Sequence, residues 1–288
     1  MNVLETFWKR EKPLPVFSTQ HVLFKLWARP SARFGIVVGI VLLIFIAVYP
    51  FAAPYSSDAQ ISGAKLLAPS SAHPFGTDQF GRDQLSRIAS GGLRSLGSAI
   101  LVLTLILLTS IAAGTFFGMV GGIVDAAAMR VIDIFLALPS TVLALAIIGV
   151  LGVGFENLLL AVFVSSLAFY TRLARSYVQI SRERKDVIVA RLSGIGWMKI
   201  VIGHIFPTVF AQMLIVATLD LGGIISSLAA LSFLGLGVQP PDAEWGAMLA
   251  ESRSFFTFAP WLLFAPTLMI FLSVMSANLI GNALREID

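Results

Sequence analysis

Cysteine is missing altogether from the 288 residues, which excludes disulfides and thiolate metal sites. Histidine is nearly as scarce. His21 falls in a basic N-terminal flank, His73 in one polar segment and His204 at the end of another. No His-x-x-x-His pair, Gly-x-Ser-x-Gly elbow or phosphate-binding P-loop occurs, so the chain is read as a non-enzyme. Charge is the third shortage: 12% of residues are charged, against about 25% in soluble domains. Hydrophobic residues make up 57% and the mean hydropathy is +0.88. An ordinary soluble domain is excluded, and an all-α, multi-pass membrane protein is expected.

What the chain does have is a series of apolar runs, each near the ~20 residues that a bilayer core requires. The first 33 residues are polar and basic, with Trp8, Lys9, Arg10, Lys12, Lys25, Arg29 and Arg33. They suit an amphipathic flank on the membrane surface rather than a cleavable signal. The first span is residues 34–53, and Gly35-x-x-x-Gly39 offers a helix contact. A polar segment, 54–94, follows. Five more spans fall in 95–285, at about 96–120, 131–152, 157–170, 208–234 and 259–282. Gly114-x-x-x-Gly118 and Gly118-x-x-x-Gly122 give the second a smooth face. Arg130 and Asp133 are spaced for an ion pair on the third, and Pro139 should kink it.

Asp220 lies near the middle of the fifth span. A centred Asp costs about 2.5–3.5 kcal/mol, while Leu, Ile, Phe and Val each return about 0.3–0.6 kcal/mol. Thirteen such residues lie in 208–234 and together return about 4–8 kcal/mol. The helix therefore still inserts, with Asp220 facing protein or a watery pathway.

Most of the 20 Lys and Arg fall in the flank, in the turn and tail (Arg130, Arg285) and in the polar cassette 172–207. Only Lys65, Arg82, Arg87, Arg94 and Arg253 lie in the loops expected opposite. This asymmetry places both termini and the cassette in the cytoplasm, and it accounts for the net charge of +4 without nucleic acid. Inside the cassette, Asp186 to Ser193 suits a short helix that Gly194 would end in a left-handed conformation. Ile188, Leu192 and Ile195 form a narrow apolar stripe on it. Such a helix can pack on its own membrane domain or offer the stripe to a soluble partner.

The cassette resembles the EAA loop of binding-protein-dependent ABC importers through Ala190, Gly194 and His204-Ile-Phe-Pro207. Ile188 and Val189 stand where the family has Glu and the first Ala, so its polar contact is not carried over there. A second stretch, His73-Pro-Phe-Gly76-Thr77-Asp78-Gln-Phe-Gly81-Arg82-Asp83-Gln-Leu-Ser-Arg87, resembles the signature of "C"-type permeases of the peptide/nickel branch. On the residues alone it reads either as a folded external plug with internal ion pairs or as a docking surface. Leu231-Ser-Phe-Leu-Gly-Leu-Gly237 followed by Pro240-Pro241 and Trp245-Gly246 resembles a third motif of that branch. Gly281-Asn-Ala-Leu-Arg285 resembles its closing motif, with Asn282 where Asp is usual.

The resemblance implies six transmembrane helices with both termini inside and a cytoplasmic coupling loop. It implies a multi-pass subunit of the bacterial cytoplasmic membrane, surrounded by lipid. Its partners would be a second homologous permease, two ABC ATPase subunits and an extracytoplasmic substrate-binding protein, with no nucleic acid. ATP and magnesium would bind the ATPases, and no cofactor or metal this chain. Coupling is expected at Ile188, Ala190, Arg191, Leu192, Gly194 and Gly196. The expected cargo is short peptides, with nickel or a metal chelate as the alternative. A self-contained channel or gradient-driven carrier is the rival class, but six spans without an evident inverted repeat are few for one.

Overall fold

A computed structural model describes residues 19–287, all of whose regular elements are helical. The N-terminal flank lies outside the described residues up to position 18. Helix α1 (Thr19–Ala28) leads into α2 (Pro30–Ala52), which is the first long apolar helix. Only 17% of its most apolar window is buried, and Phe34, Val41, Ile44 and Phe51 are exposed. A helix with so wide an apolar face open to its surroundings is solvated by lipid rather than water. The buried stripe includes Gly35. A Cβ there would come 2.9 Å from that of Leu279, and one on Gly39 would come 2.7 Å from Ser276 Oγ. The glycine pair is therefore a contact surface for the last helix.

Helix α3 (Gln84–Val120) begins well before the expected second span, inside the polar segment. Asp83 caps it, accepting from the Ser86 N–H at 2.9 Å. Gly114 and Gly118 press against Ala174 and Val178 of a later helix. Gly122 does not extend that face. It has φ +62, after Gly121 at +65, and the two turn the chain out of α3.

The third apolar run is not one helix. α4 (Gly122–Leu136) and α5 (Ser140–Leu151) meet at 89° around Pro139. Proline has no N–H to donate and disfavours helix in the residue before it, so the chain breaks where a kink was expected. Helix α6 (Phe155–Arg182) runs past the expected end at Tyr170 and takes the first part of the cassette with it. The short α7 (Lys185–Leu192) follows. The chain then re-enters through α8 (Trp197–Ile200), a wide-turn segment at Val201–Ile205, and α9 (Phe206–Phe233). Pro207 cannot donate to the carbonyl four residues back, and the widened turn just before it absorbs that loss. α10 (Trp245–Ser252) is a short helix in the next loop, and α11 (Trp261–Ile287) closes the bundle.

The main core lies between α3, α6 and α9 around Ile106, Leu158, Val178, Val209 and Met213. A second cluster, with Trp245 at its centre, joins α2, α3, α10 and α11. Hydrogen bonds sort the bundle into two ends. At one, Arg29 pairs with Glu286 and Arg182 donates to the Gly118 carbonyl. At the other, the Gly154 N–H reaches Leu236 O, and the 54–83 loop packs on the 240–252 loop. Among the described residues there are five helices long and apolar enough to cross a membrane, plus the bent pair α4–α5.

Candidate functional site

The cassette forms a compact elbow at the end of the bundle shared by Arg29 and Glu286. Its short helix ends as Gly194 implied: φ is +72, the Gly194 N–H bonds Arg191 O and the Ile195 N–H bonds Ala190 O, both at 3.1 Å. This paired closure satisfies the last carbonyls of α7, and the left-handed turn it needs is cheap only for glycine. Arg184 fixes the start. It donates twice to Asp186, at 3.0 and 3.1 Å, and to Thr208 Oγ1 at 2.8 Å on α9. Burial pushes the Asp186 carboxyl up, but the bonds and charge of Arg184, with the N–H groups of Asp186 and Val187, hold it below the usual value of 3.8. Arg182 reaches α3 through Gly118 O at 2.7 Å and stacks over Trp197.

Anchored in this way, α7 divides its faces. Val187 and Ala190 are buried against the membrane helices. Ile188, Leu192 and Ile195 are open to solvent, Leu192 at 82%. Arg191, Gly194 and Gly196 are exposed beside them. Ala190 is therefore a packing residue, not part of the presented surface. Val189 and Met198 are also exposed and widen the apolar patch. A period of 3.6 counted from Ile188 passes over both of them.

A second locus lies at membrane depth, where the α4–α5 bend meets α6 and α9. A cavity of about 380 Å³ is lined by Asp220, Tyr170, Ser140, Ser165, Ser166 and Ser227, with apolar walls that include Phe135 and Phe169. The Tyr170 hydroxyl donates to Asp220 Oδ2 at 2.7 Å. Among the described residues, no Lys, Arg or His lines this space. Asp220 thus faces a polar cavity while being held by a protein hydroxyl, which joins both readings of it. Irregular backbone at this depth, such as the break at Pro139, is tolerable where it borders a cavity.

The signature residues lie together at the opposite end, largely out of solvent. Asp78, Arg82, Asp83 and Arg87 are each at most 3% exposed. Arg82 Nε donates to Asp78 Oδ2 at 2.5 Å and its Nη2 to Glu251 Oε2 at 2.8 Å. Arg87 also reaches Glu251 and donates to Pro241 O at 3.1 Å. His73 Nδ1 is bonded to Asp83 Oδ1 at 2.8 Å. Thr77 Oγ1 ties two parts of the loop together by donating to Ala64 O and accepting from the Leu67 N–H. Gly76 and Gly81 have positive φ and lie tight against the Leu67 and Ile61 carbonyls. The arrangement is a folded plug with internal ion pairs, and its charges are occupied with one another.

Residues 110–287 match the family described as "Binding-protein-dependent transport system inner membrane component". The chain belongs to this family of transport permeases. It is 38% identical to the nickel transport system permease protein NikC of Escherichia coli, over 91% of this chain and 95% of that protein. It is 38% identical to the dipeptide transport system permease protein DppC of Alkalihalophilus pseudofirmus, over 87% and 84%. The di/tripeptide permease DppC of Pseudomonas aeruginosa is 37% identical, over 90% and 88%. These relatives are named as permease proteins of nickel and peptide transport systems, and the family is one of inner-membrane components.

In this permease the i, i+3 pair that spacing suggested forms at 3.9 Å, and closer pairs run between helices. Asp133 is bonded by Arg172 of α6, while Arg130 stands 3.9 Å off and largely in solvent. Asp125 is held by Arg175 of the same helix at 2.5 Å. Reading one helix at a time favours i, i+3 partners, so cross-helix arginines are missed. Glu244 was also hidden in a loop motif. It caps α10 through the Gly246 and Ala247 N–H groups and accepts from Ser95 Oγ at 2.8 Å. Trp245 is fully buried and donates to Ile88 O at 2.9 Å.

Proposed function

We propose that this chain forms one half of the translocation pore of an ATP-driven importer that brings short peptides across the cytoplasmic membrane. It crosses six times, with the bent pair counted as one span, and both termini and the 172–207 elbow lie in the cytoplasm. Residues 54–94 lie on the periplasmic side with the 240–252 loop. A second permease completes the pore, an extracytoplasmic binding protein delivers the cargo, and two ATPase subunits bind ATP and magnesium. The chain itself is non-catalytic and needs no cofactor of its own.

One observation carries the reading. The short helix 185–192 is tied at its start to α9 and closed at its end by Gly194, yet Ile188, Leu192 and the adjoining Ile195 are exposed. An apolar stripe held rigidly in water is built to be covered by a soluble partner, and closure of the ATPases would push on it. Two of the relatives above serve peptide systems. The nickel reading is favoured by the alignment with NikC, which spans 95% of that protein.

The test uses Gly194→Trp in the assembled complex, with uptake of alanyl-alanine and ATP hydrolysis measured together. Expected is an inserted, assembled complex that hydrolyses ATP but imports peptide poorly. Normal uptake would count against the coupling role. The chain has no cysteine, so a single Leu192→Cys label also reads the topology. Modification by an impermeant maleimide from outside intact cells would put the elbow on the wrong side.

A further inference from the structure

We propose that the cavity around Asp220 and Tyr170 is a subsite that receives the ammonium group of the translocated peptide, an inference that rests on the peptide reading above. The carboxylate lies midway along α9, where a charge is retained only for a function or a partner. Among the described residues, no cationic side chain borders the space. Its protein partner, the Tyr170 hydroxyl, occupies Oδ2, and a carboxylate oxygen pair can accept several further bonds. The end of α4 and the start of α5 meet at the bend with opposite dipole ends, so Asp220 sets the sign of the site.

The rest of the lining chooses among cations. Ser140, Ser166 and Ser227 supply hydroxyl oxygens, and Phe135 and Phe169 supply aromatic surface. An alkylammonium donates three hydrogen bonds and is attracted by aromatic faces. A nickel ion is held by imidazole nitrogen or by a set of nitrogen and oxygen donors in a defined geometry. This wall offers one carboxylate and no imidazole, and among the described residues no group of three or more His, Cys, Asp or Glu could hold a metal. Tyr170 and Asp220 come from different helices, so any relative movement of α6 and α9 changes the site.

The experiment reconstitutes the complete importer in proteoliposomes. It compares alanyl-alanine, lactyl-alanine (a hydroxyl in place of the ammonium) and nickel(II) chloride. The binding protein is common to all variants, so a change in the alanyl-alanine to lactyl-alanine uptake ratio reports on the permease. Asp220→Asn is expected to lower alanyl-alanine imported per ATP hydrolysed by about tenfold or more and to flatten that ratio. Asp220→Glu should restore much of both, and Tyr170→Phe should fall between. If wild type imports alanyl-alanine and Asp220→Asn leaves yield and ratio unchanged, the subsite is refuted and the peptide reading stands. Equal failure of Asn and Glu variants, with the ratio preserved, would make Asp220 a packing residue and also overturn the proposal. Import of nickel and of no dipeptide by wild type would sink the peptide reading itself.

Discussion

Gly114 offers the sharpest test of how the bundle is packed. A methyl group placed on its Cα would lie 2.6 Å from Ala174 Cβ and 2.7 Å from the Arg175 backbone nitrogen. Ordinary carbon contacts are near ~3.5–4.0 Å, so α3 and α6 would have to part by roughly 1 Å. One obstructing atom is backbone, and Ala174 is fully buried, so a rotamer change cannot relieve the overlap. Such overpacking costs about 1–3 kcal/mol. The same substitution also gains about 0.5–1 kcal/mol of helix propensity. Gly97, on the same helix, separates the two effects because nothing lies within 4 Å of a Cβ there. Gly97→Ala should therefore be neutral to stabilising, and Gly114→Ala should fall below it by about 1–3 kcal/mol. Equilibrium unfolding of the detergent-solubilised permease in mixed micelles measures that difference. Equal stability of the two variants would refute the close approach of α3 and α6.

Arg82→Ala should be severe, because it removes the close partner of Asp78 and Glu251 and leaves them only Arg87, at 3.5 Å; the expected loss is about 3 kcal/mol. Rapid proteolysis of the 54–83 segment in otherwise folded protein would report it, and wild-type resistance would speak against the plug. The Asp186 carboxyl is held below 3.8, so its contribution is present above that value and is lost only as the pH falls through the lower folded value. A spin label at Leu192→Cys should keep the same mobility from pH 8 down to about pH 5, and Asp186→Asn should raise it throughout. A change within that range would contradict this.

Local rules written in residue type were legible in the sequence, and contacts between distant helices mostly were not. The end of α7 could be read because a glycine after an apolar stripe has one cheap use there. The Gly35 and Gly114 pairs could be read because small residues at helical spacing let backbones meet. Helix ends were misplaced where charge was taken as the membrane border. Arg172 and Arg175 lie inside α6 because Asp133 and Asp125 neutralise them there. Arg87 lies inside α3 for a similar reason, paired with Glu251 across the loops. The start of α3 did carry a signal, since Asp83 and Ser86 have the spacing of a capping residue and its third helical position. Asp220 was conspicuous, but Tyr170 entered only as the end of a span, because nothing in the sequence pairs it with a residue on another helix.

The same geometry explains how a surface helix and a buried cavity can belong to one device. The elbow is pinned by Arg182 at the end of α6 and by Arg184 to Thr208 near the start of α9. Tyr170 and Asp220 are each twelve residues from those anchors, at Arg182 and Thr208. At 1.5 Å per residue, both groups lie about 18 Å along their helices from the elbow. That equality is why two side chains fifty positions apart meet at the same depth, within 2.7 Å. In the proposed coupling, a load applied at Leu192 would be borne by the roots of these two helices. Any tilt of one against the other is expressed at the Tyr170–Asp220 bond, where the lever arms are equal.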